Sequence, residues 1–217
     1  MRGITLTKNK KYTQMENYNR ETELGRIFSE SIQSIVDNHS TTGNNGDYYS
    51  NLSIETLIRL KKALSNINNI ITLKVCLAFV KSLSPKYISE DVATKVIKDI
   101  LSTHANTNGY DVQCEDGDFP FLAEIKCNIP CGKDGKKFGA AQHKSIINDI
   151  YGLINGKSKA SNTSVRNYYR FMVFLEYDGV RDAAKDLFNK FGDEIALLED
   201  TDQLDKSKIY LAFIPLK

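Results

Sequence analysis

Three charged residues, Asp111, Glu124 and Lys126, stand out for the chemistry they could do together. They lie in the stretch Gly109 to Cys127, GYDVQCEDGDFPFLAEIKC, whose polar and apolar alternation predicts a β-hairpin. Asp116-Gly117 supplies the turn, because a two-residue hairpin loop needs positive φ at its centre and Asp-Gly tolerates it. With that loop Glu115 faces Asp118 and Asp111 faces Leu122. Side chains alternate along a strand, so Asp111, Gln113, Leu122, Glu124 and Lys126 share one face. Val112, Cys114, Phe121, Ala123 and Ile125 share the other, which is apolar and can pack on a core. Asp111 and Glu124 then stand one diagonal step apart, roughly 7–8 Å at the Cα level. Hard divalent cations such as Mg²⁺ take oxygen ligands, often one or two carboxylates completed by water and substrate phosphate. Asp111 and Glu124, with the main-chain carbonyl of Ile125, would make half of such a shell for Mg²⁺ or Mn²⁺. Lys126 beside them could orient or deprotonate an attacking water, or offset charge on a pentacovalent phosphate.

An acidic residue on one strand followed by Glu-x-Lys on the next, here Asp111 and then Glu124-Ile125-Lys126, resembles the signature of the PD-(D/E)XK nuclease superfamily. The resemblance implies a restriction-endonuclease-like α/β fold and metal-dependent hydrolysis of DNA phosphodiester bonds. It also implies that Gln142, on the helix after Glu-x-Lys, belongs to the active-site edge. Glu23 and Glu30 on an early helix are candidates to reach the metal, against the commoner outcome that helical glutamates are solvated. By analogy, the large helical part added to a minimal core suggests a type II restriction enzyme working as a homodimer on a specific double-stranded DNA site. A structure-directed or repair nuclease of the same fold is the alternative, and a non-catalytic DNA-binding module is a third reading.

The elements that must position these residues follow from length and periodicity. With 217 residues, 41% of them hydrophobic, the chain can bury a sizeable core. The expected division is a mainly helical part over 1–105, packing on or extending a catalytic α/β core over 106–217. Apolar spacing predicts helices over Arg20–Asn38, from Ser53 through Leu64, over Ile70–Leu83 and after Ser89-Glu90-Asp91. After the hairpin come a helix over Gly139–Asn155, a buried strand over Tyr169–Tyr177, a helix over Val180–Phe191 and a last strand over Ile209–Leu216. This order predicts a mixed sheet flanked by helices. Loops are expected over Asn38–Tyr49, Asn128–Phe138 and Gly156–Arg166.

The formal net charge is only +2, yet basic residues crowd the segment from Lys126 to Arg170. Lys133, Lys136, Lys137, Lys144, Arg166 and Arg170 are the candidates to neutralise DNA phosphates. No continuous apolar run approaches the roughly 20 residues of a membrane span, and the polar N-terminus does not read as a signal peptide. A cytoplasmic location with no membrane partner is expected. No glycine-rich nucleotide fingerprint appears, so no nucleotide cofactor is expected. Cys127 and Cys131 have a spacing that zinc could use, but no second pair or suitably placed histidine completes a site. His143 carries an imidazole, a side chain suited to general-base work, but no Ser, Cys or Asp is spaced to orient it.

Overall fold

The computed structural model describes residues 18–39, 53–105, 109–115, 117–132, 134–157, 164–201 and 203–216. The elements are α1 (Arg20–His39), α2 (Ile54–Leu83), α3 (Glu90–Ser102), β1 (Val112–Cys114), β2 (Phe121–Lys126), α4 (Ala140–Asn155), β3 (Tyr169–Leu175), α5 (Val180–Phe191), β4 (Ile195–Leu197) and β5 (Ile209–Ile214). The chain divides into two compact units, one of residues 1–70 and 101–105, the other of 71–100 and 106–217. Part of the N-terminal helical segment, residues 71–100, thus shares a unit with the sheet.

In the larger unit a five-stranded mixed sheet runs in the order β1-β2-β3-β5-β4. The edge strand β1 is antiparallel to β2, and the remaining neighbours are parallel. β2 and β3 read as nearly unbroken apolar runs because both of their faces are covered, as parallel strands require. On one face Phe121, Phe171 and Tyr210 are buried, and Phe79 of α2 meets Phe121 and Phe171 edge-on at 6.2 and 5.2 Å. On the other, Leu122, Met172, Phe174 and Leu211 share a core with Ile146, Ile150 and Leu153 of α4 and Ala183, Ala184 and Leu187 of α5. The result is the α/β architecture expected, a mixed sheet flanked by helices.

Two local expectations need correction. The helices predicted on either side of residue 65 are one 30-residue helix, α2. The Asn-rich stretch between them holds neither Gly nor Pro, and asparagine costs a helix only a few tenths of a kcal/mol more than its neighbours, about 0.7 at most. Over an 18-residue window this helix has the length and composition of a membrane span, although 33% of that window is buried. The second correction is β4, which is too short to give a periodic signal. Helix starts were better marked: the Ser53 hydroxyl accepts from Thr56 N at 3.1 Å, and that of Ser89 from Val92 N at 3.3 Å. In the smaller unit Leu24 is buried, and Glu23 and Glu30 both pair with Arg26 at 2.7 Å. Leu57, Ile58 and Leu64, the apolar residues that follow Ser53, are exposed.

The turn before α5 ties the lysine-rich loop to the core. Gly179 has φ +77°, and a Cβ there would lie 2.0 Å from the carbonyl oxygen of Gly135. Both the backbone conformation and this close approach exclude a side chain. Gly179→Ala should therefore lower stability by roughly 1–3 kcal/mol, read as a fall in the urea midpoint at unchanged slope.

Candidate active site

The site is built where β1 begins against β2. The observed register pairs Val112 with Ala123, Gln113 with Leu122 and Cys114 with Phe121. The predicted pairing of Asp111 with Leu122 across a two-residue turn is thus incorrect, and residues 115–120 form the connection. Two residues explain the longer loop. Pro120 has no N–H to give a ladder, and the Phe119 ring leaves the hairpin to stack on Tyr169 at 4.2 Å and Tyr87 at 5.3 Å. Asp116 lies outside the described residues. Because the displacement is even, every side chain keeps its predicted face. Continued one step, the register brings Asp111 directly across from Glu124 instead of diagonal to it.

There, one residue before β1 begins, the Asp111 carboxylate takes the place of a strand carbonyl and Oδ2 accepts from Ile125 N at 2.8 Å. The N–H and C=O of one strand residue point to the same side, so the Ile125 carbonyl opens toward the same edge. Glu124 projects from the middle of β2 and its side chain is only 5% exposed. Its Oε1 lies 2.5 Å from Lys157 Nζ, an ion pair rather than a well-aligned hydrogen bond. Lys157 Nζ also donates to the Gly109 carbonyl at 2.8 Å and sits 5.2 Å above the Tyr110 ring. Lys126 pairs with Asp149, and its Nζ donates to Ser145 Oγ at 3.1 Å. Ser145 and Asp149 are one helical turn apart on α4 and so present both acceptors to one lysine.

Burial dominates the electrostatics. It pushes the Glu124 carboxyl up to about 8, helped by the charge of Asp111 and opposed by Lys157. Asp111 keeps a solvent-facing side, but the protein atoms crowding its carboxylate also raise its pKa, against the Ile125 N–H and the two lysines. Burial raises Tyr110, whose hydroxyl donates to the Gly152 carbonyl at 3.1 Å, and lifts the Cys127 thiol to about 11.

Among the described residues no three His, Cys, Asp or Glu side chains gather closely enough to hold a metal ion. The available donors are Asp111, Glu124 and the Ile125 carbonyl. They suit a hard cation that keeps several waters and binds one or two carboxylates. The ammonium of Lys157 sits on the Glu124 oxygen such a cation would use.

The other predicted residues are dispersed. Gln142 Oε1 accepts from Gly139 N at 3.0 Å and its Nε2 donates to the Ile129 carbonyl at 3.3 Å. It thereby caps α4 and clamps the preceding loop, and none of its hydrogen bonds goes to Asp111, Glu124 or Lys126. This is the return half of a capping box, Gly139 having no side chain for the other half. Lys136, Lys137, Lys144 and Arg166 are exposed, and Lys133 lies outside the described residues. Arg170, expected at a DNA backbone, is 4% exposed and donates to the carbonyls of Leu153 at 3.2 Å and Lys206 at 2.6 Å. It sits in the strand that is covered on both sides, so its charge is spent on main-chain carbonyls. His143 Nε2 is buried without a hydrogen bond, and all four cysteines are free thiols.

Two residues of the cluster were not anticipated. Asp149 had a signal, since it follows Gln142 and Ser145 at helical spacing on the polar side of α4. Lys157 had none, because it reaches Glu124 only through the turn after α4. The chain matches no protein-family model, no curated protein and no solved structure.

The raised Glu124 pKa has a definite sign. Between the unfolded value near 4.5 and the folded value of about 8, the folded protein binds more protons than the unfolded chain. The stability that Glu124 contributes is present at low pH and is lost as pH rises through this window. Urea denaturation from pH 5 to 9 should show the decline, and Glu124→Gln should flatten it.

Proposed function

We propose that this protein is a Mg²⁺-dependent endodeoxyribonuclease with a restriction-endonuclease-like fold, a type II restriction enzyme acting as a homodimer on a specific double-stranded site. The observation that carries the reading is the convergence of Asp111, Glu124 and Lys126 at one sheet edge, with Asp111 bonded to the main chain between the other two. The antiparallel edge strand followed by β2, α4 and β3 fits that fold assignment. A divalent cation bound at Asp111 and Glu124 would polarise the scissile phosphate and supply a nucleophilic water near neutral pH.

The chain's own residues would do the rest. Glu124 would hold the cation through the carboxylate that Lys157 now pairs with. Lys157 stays close, held by the Gly109 carbonyl and the Tyr110 ring, and turns its charge toward the phosphate. Lys126, steadied by Asp149 and Ser145, orients the attacking water or offsets charge on the phosphorane. One observation favours a non-catalytic reading: each lysine already has a carboxylate partner.

Plasmid cleavage with Mg²⁺ separates these readings. Asp111→Asn, Glu124→Gln and Lys126→Ala should each lower the cleavage rate by about 10²–10⁴-fold, while a DNA-binding module would be indifferent to both Mg²⁺ and these changes. Discrete fragments would identify a sequence-specific enzyme, and a smear a structure-directed or repair nuclease. Lys157→Met gives a second test, because it removes the competing ammonium. It should tighten Mg²⁺ binding by calorimetry at pH 7 while leaving the protein less able to stabilise charge on the phosphate.

A further inference from the structure

The first three turns of α2 bury one side and leave the other bare. Thr56 and Ala63, seven residues apart, are buried. On the side away from them Ile54, Leu57, Ile58 and Leu64 are between 42% and 73% exposed. Spacings of three, four and seven residues collect these four on one helical face. Together they expose on the order of 400 Å² of apolar surface, the size at which a patch on a single chain marks an interaction site. Two such patches, in an interface about two-thirds apolar, correspond to roughly 1,200 Å² buried in total, the lower end for a specific and stable contact.

The charges around the stripe indicate what fits it. Lys61 lies within it, between Leu57 and Leu64 at helical spacing. Glu55 and Lys62 lie along one flank, seven residues and so about two turns apart, with Arg59 paired to Glu55 at 2.5 Å. A flank that carries an acid and a base two turns apart is complementary to itself. When a second copy of the helix runs antiparallel, the same flanks of the two copies meet, and Glu55 of one falls opposite Lys62 of the other. The contact occurs twice across a two-fold axis. That axis passes between residues 58 and 59, so Leu57 and Ile58 lie beside it and Leu64 of one copy meets Ile54 of the other. A lipid surface fits less well, because Lys61 would stand in the apolar layer and Glu55 would face the headgroups.

We propose that the exposed face of α2 over residues 54–64 is a homodimer interface, packed antiparallel against the same face of a second copy about a two-fold axis beside Ile58. It gives the homodimer of the nuclease reading its contact surface and rests on that part of the reading alone. DNA cleavage does not enter it.

Sedimentation velocity of the full chain, in EDTA and without DNA, tests the interface. Over about 1–100 μM the parent should approach twice the chain mass, the concentration range suited to a contact of this size. Ile58→Glu/Leu64→Glu changes two exposed positions to a good helix former. It should keep the helical circular dichroism of the parent and raise the dissociation constant by about 100-fold. Lys62→Glu sets Glu55 against a glutamate at two places and should weaken association by about fivefold, and Glu55→Lys/Lys62→Glu should restore it. The charge variants decide the matter if the aliphatic variant loses helix. A parent that stays monomeric, an aliphatic variant that keeps its helix and still dimerises, or a charge reversal no better than Lys62→Glu overturns the proposal. If a monomeric parent co-sediments with phosphatidylserine vesicles and Ile58→Glu/Leu64→Glu does not, the face belongs to a membrane instead. A protein that dimerises through this face but cuts no DNA keeps the interface without the nuclease. One that cuts DNA as a monomer, or as a dimer indifferent to these changes, keeps the nuclease without the interface.

Discussion

A carboxylate in the middle of a strand covered on both faces sets the terms for everything around it. Burying a charged group is costly unless it is paired or neutralised, and Glu124 does both in part. Lys157 approaches to 2.5 Å, and what the lysine does not compensate appears as a carboxyl that holds its proton to higher pH. The end of α4 is shaped to deliver that lysine. Gly156, at φ +86°, turns the chain back with its N–H on the Gly152 carbonyl. A Cβ on Gly152 would crowd the Lys157 stem at 3.2 Å. The Tyr110 hydroxyl fastens the same carbonyl to the segment leading into β1. A helix terminus, a strand start and a buried acid are thereby joined through one ammonium.

The two lysines of the cluster have different surroundings and different freedom. Lys126 lies between Asp149 and Ser145, both on α4, and its position follows from how that helix packs on β2. Lys157 is held by one carboxylate, one carbonyl and one ring face, none of which is a second charge. With Asp111, Glu124 and Asp149 all ionised the cluster would be one negative charge in excess, and with Glu124 protonated it is balanced. A proton on Glu124 and the nearby ammonium thus share the work of neutralising the buried acid.

How much of this could be read in the sequence depended on whether the deciding contact was local. The faces of the hairpin were legible, because strand alternation survives an even change of register. The register was not, because it depends on Phe119 stacking on Tyr87 and Tyr169, far away in the chain. Asp149 was within reach of the same helical periodicity that located Ile146, Ile150 and Leu153. Lys157 was not, since nothing before folding relates the residue after α4 to the centre of β2. Arg170 illustrates the opposite error. Its charge was counted as surface charge, although it begins the apolar run Phe171-Met172-Val173-Phe174, and a strand of that composition buries both faces.

What weighs on the functional side is the cost of the arrangement. Buried ion pairs seldom stabilise a fold as well as apolar groups of the same volume would, and the Glu124 oxygen facing Lys157 lacks a well-aligned hydrogen bond. A strand whose neighbours are Phe121, Leu122, Ala123 and Ile125 had an inexpensive solution open to it in one more aliphatic residue. Instead it carries an acid raised in pKa by burial and by a second acid across the ladder, and carboxyls perturbed in that way concentrate where chemistry is done. An ordinary solvated salt-bridge network would place its charges where water shares the cost. Here the cost falls on the innermost residue of the cluster, beside the strand edge where Asp111 meets the Ile125 main chain.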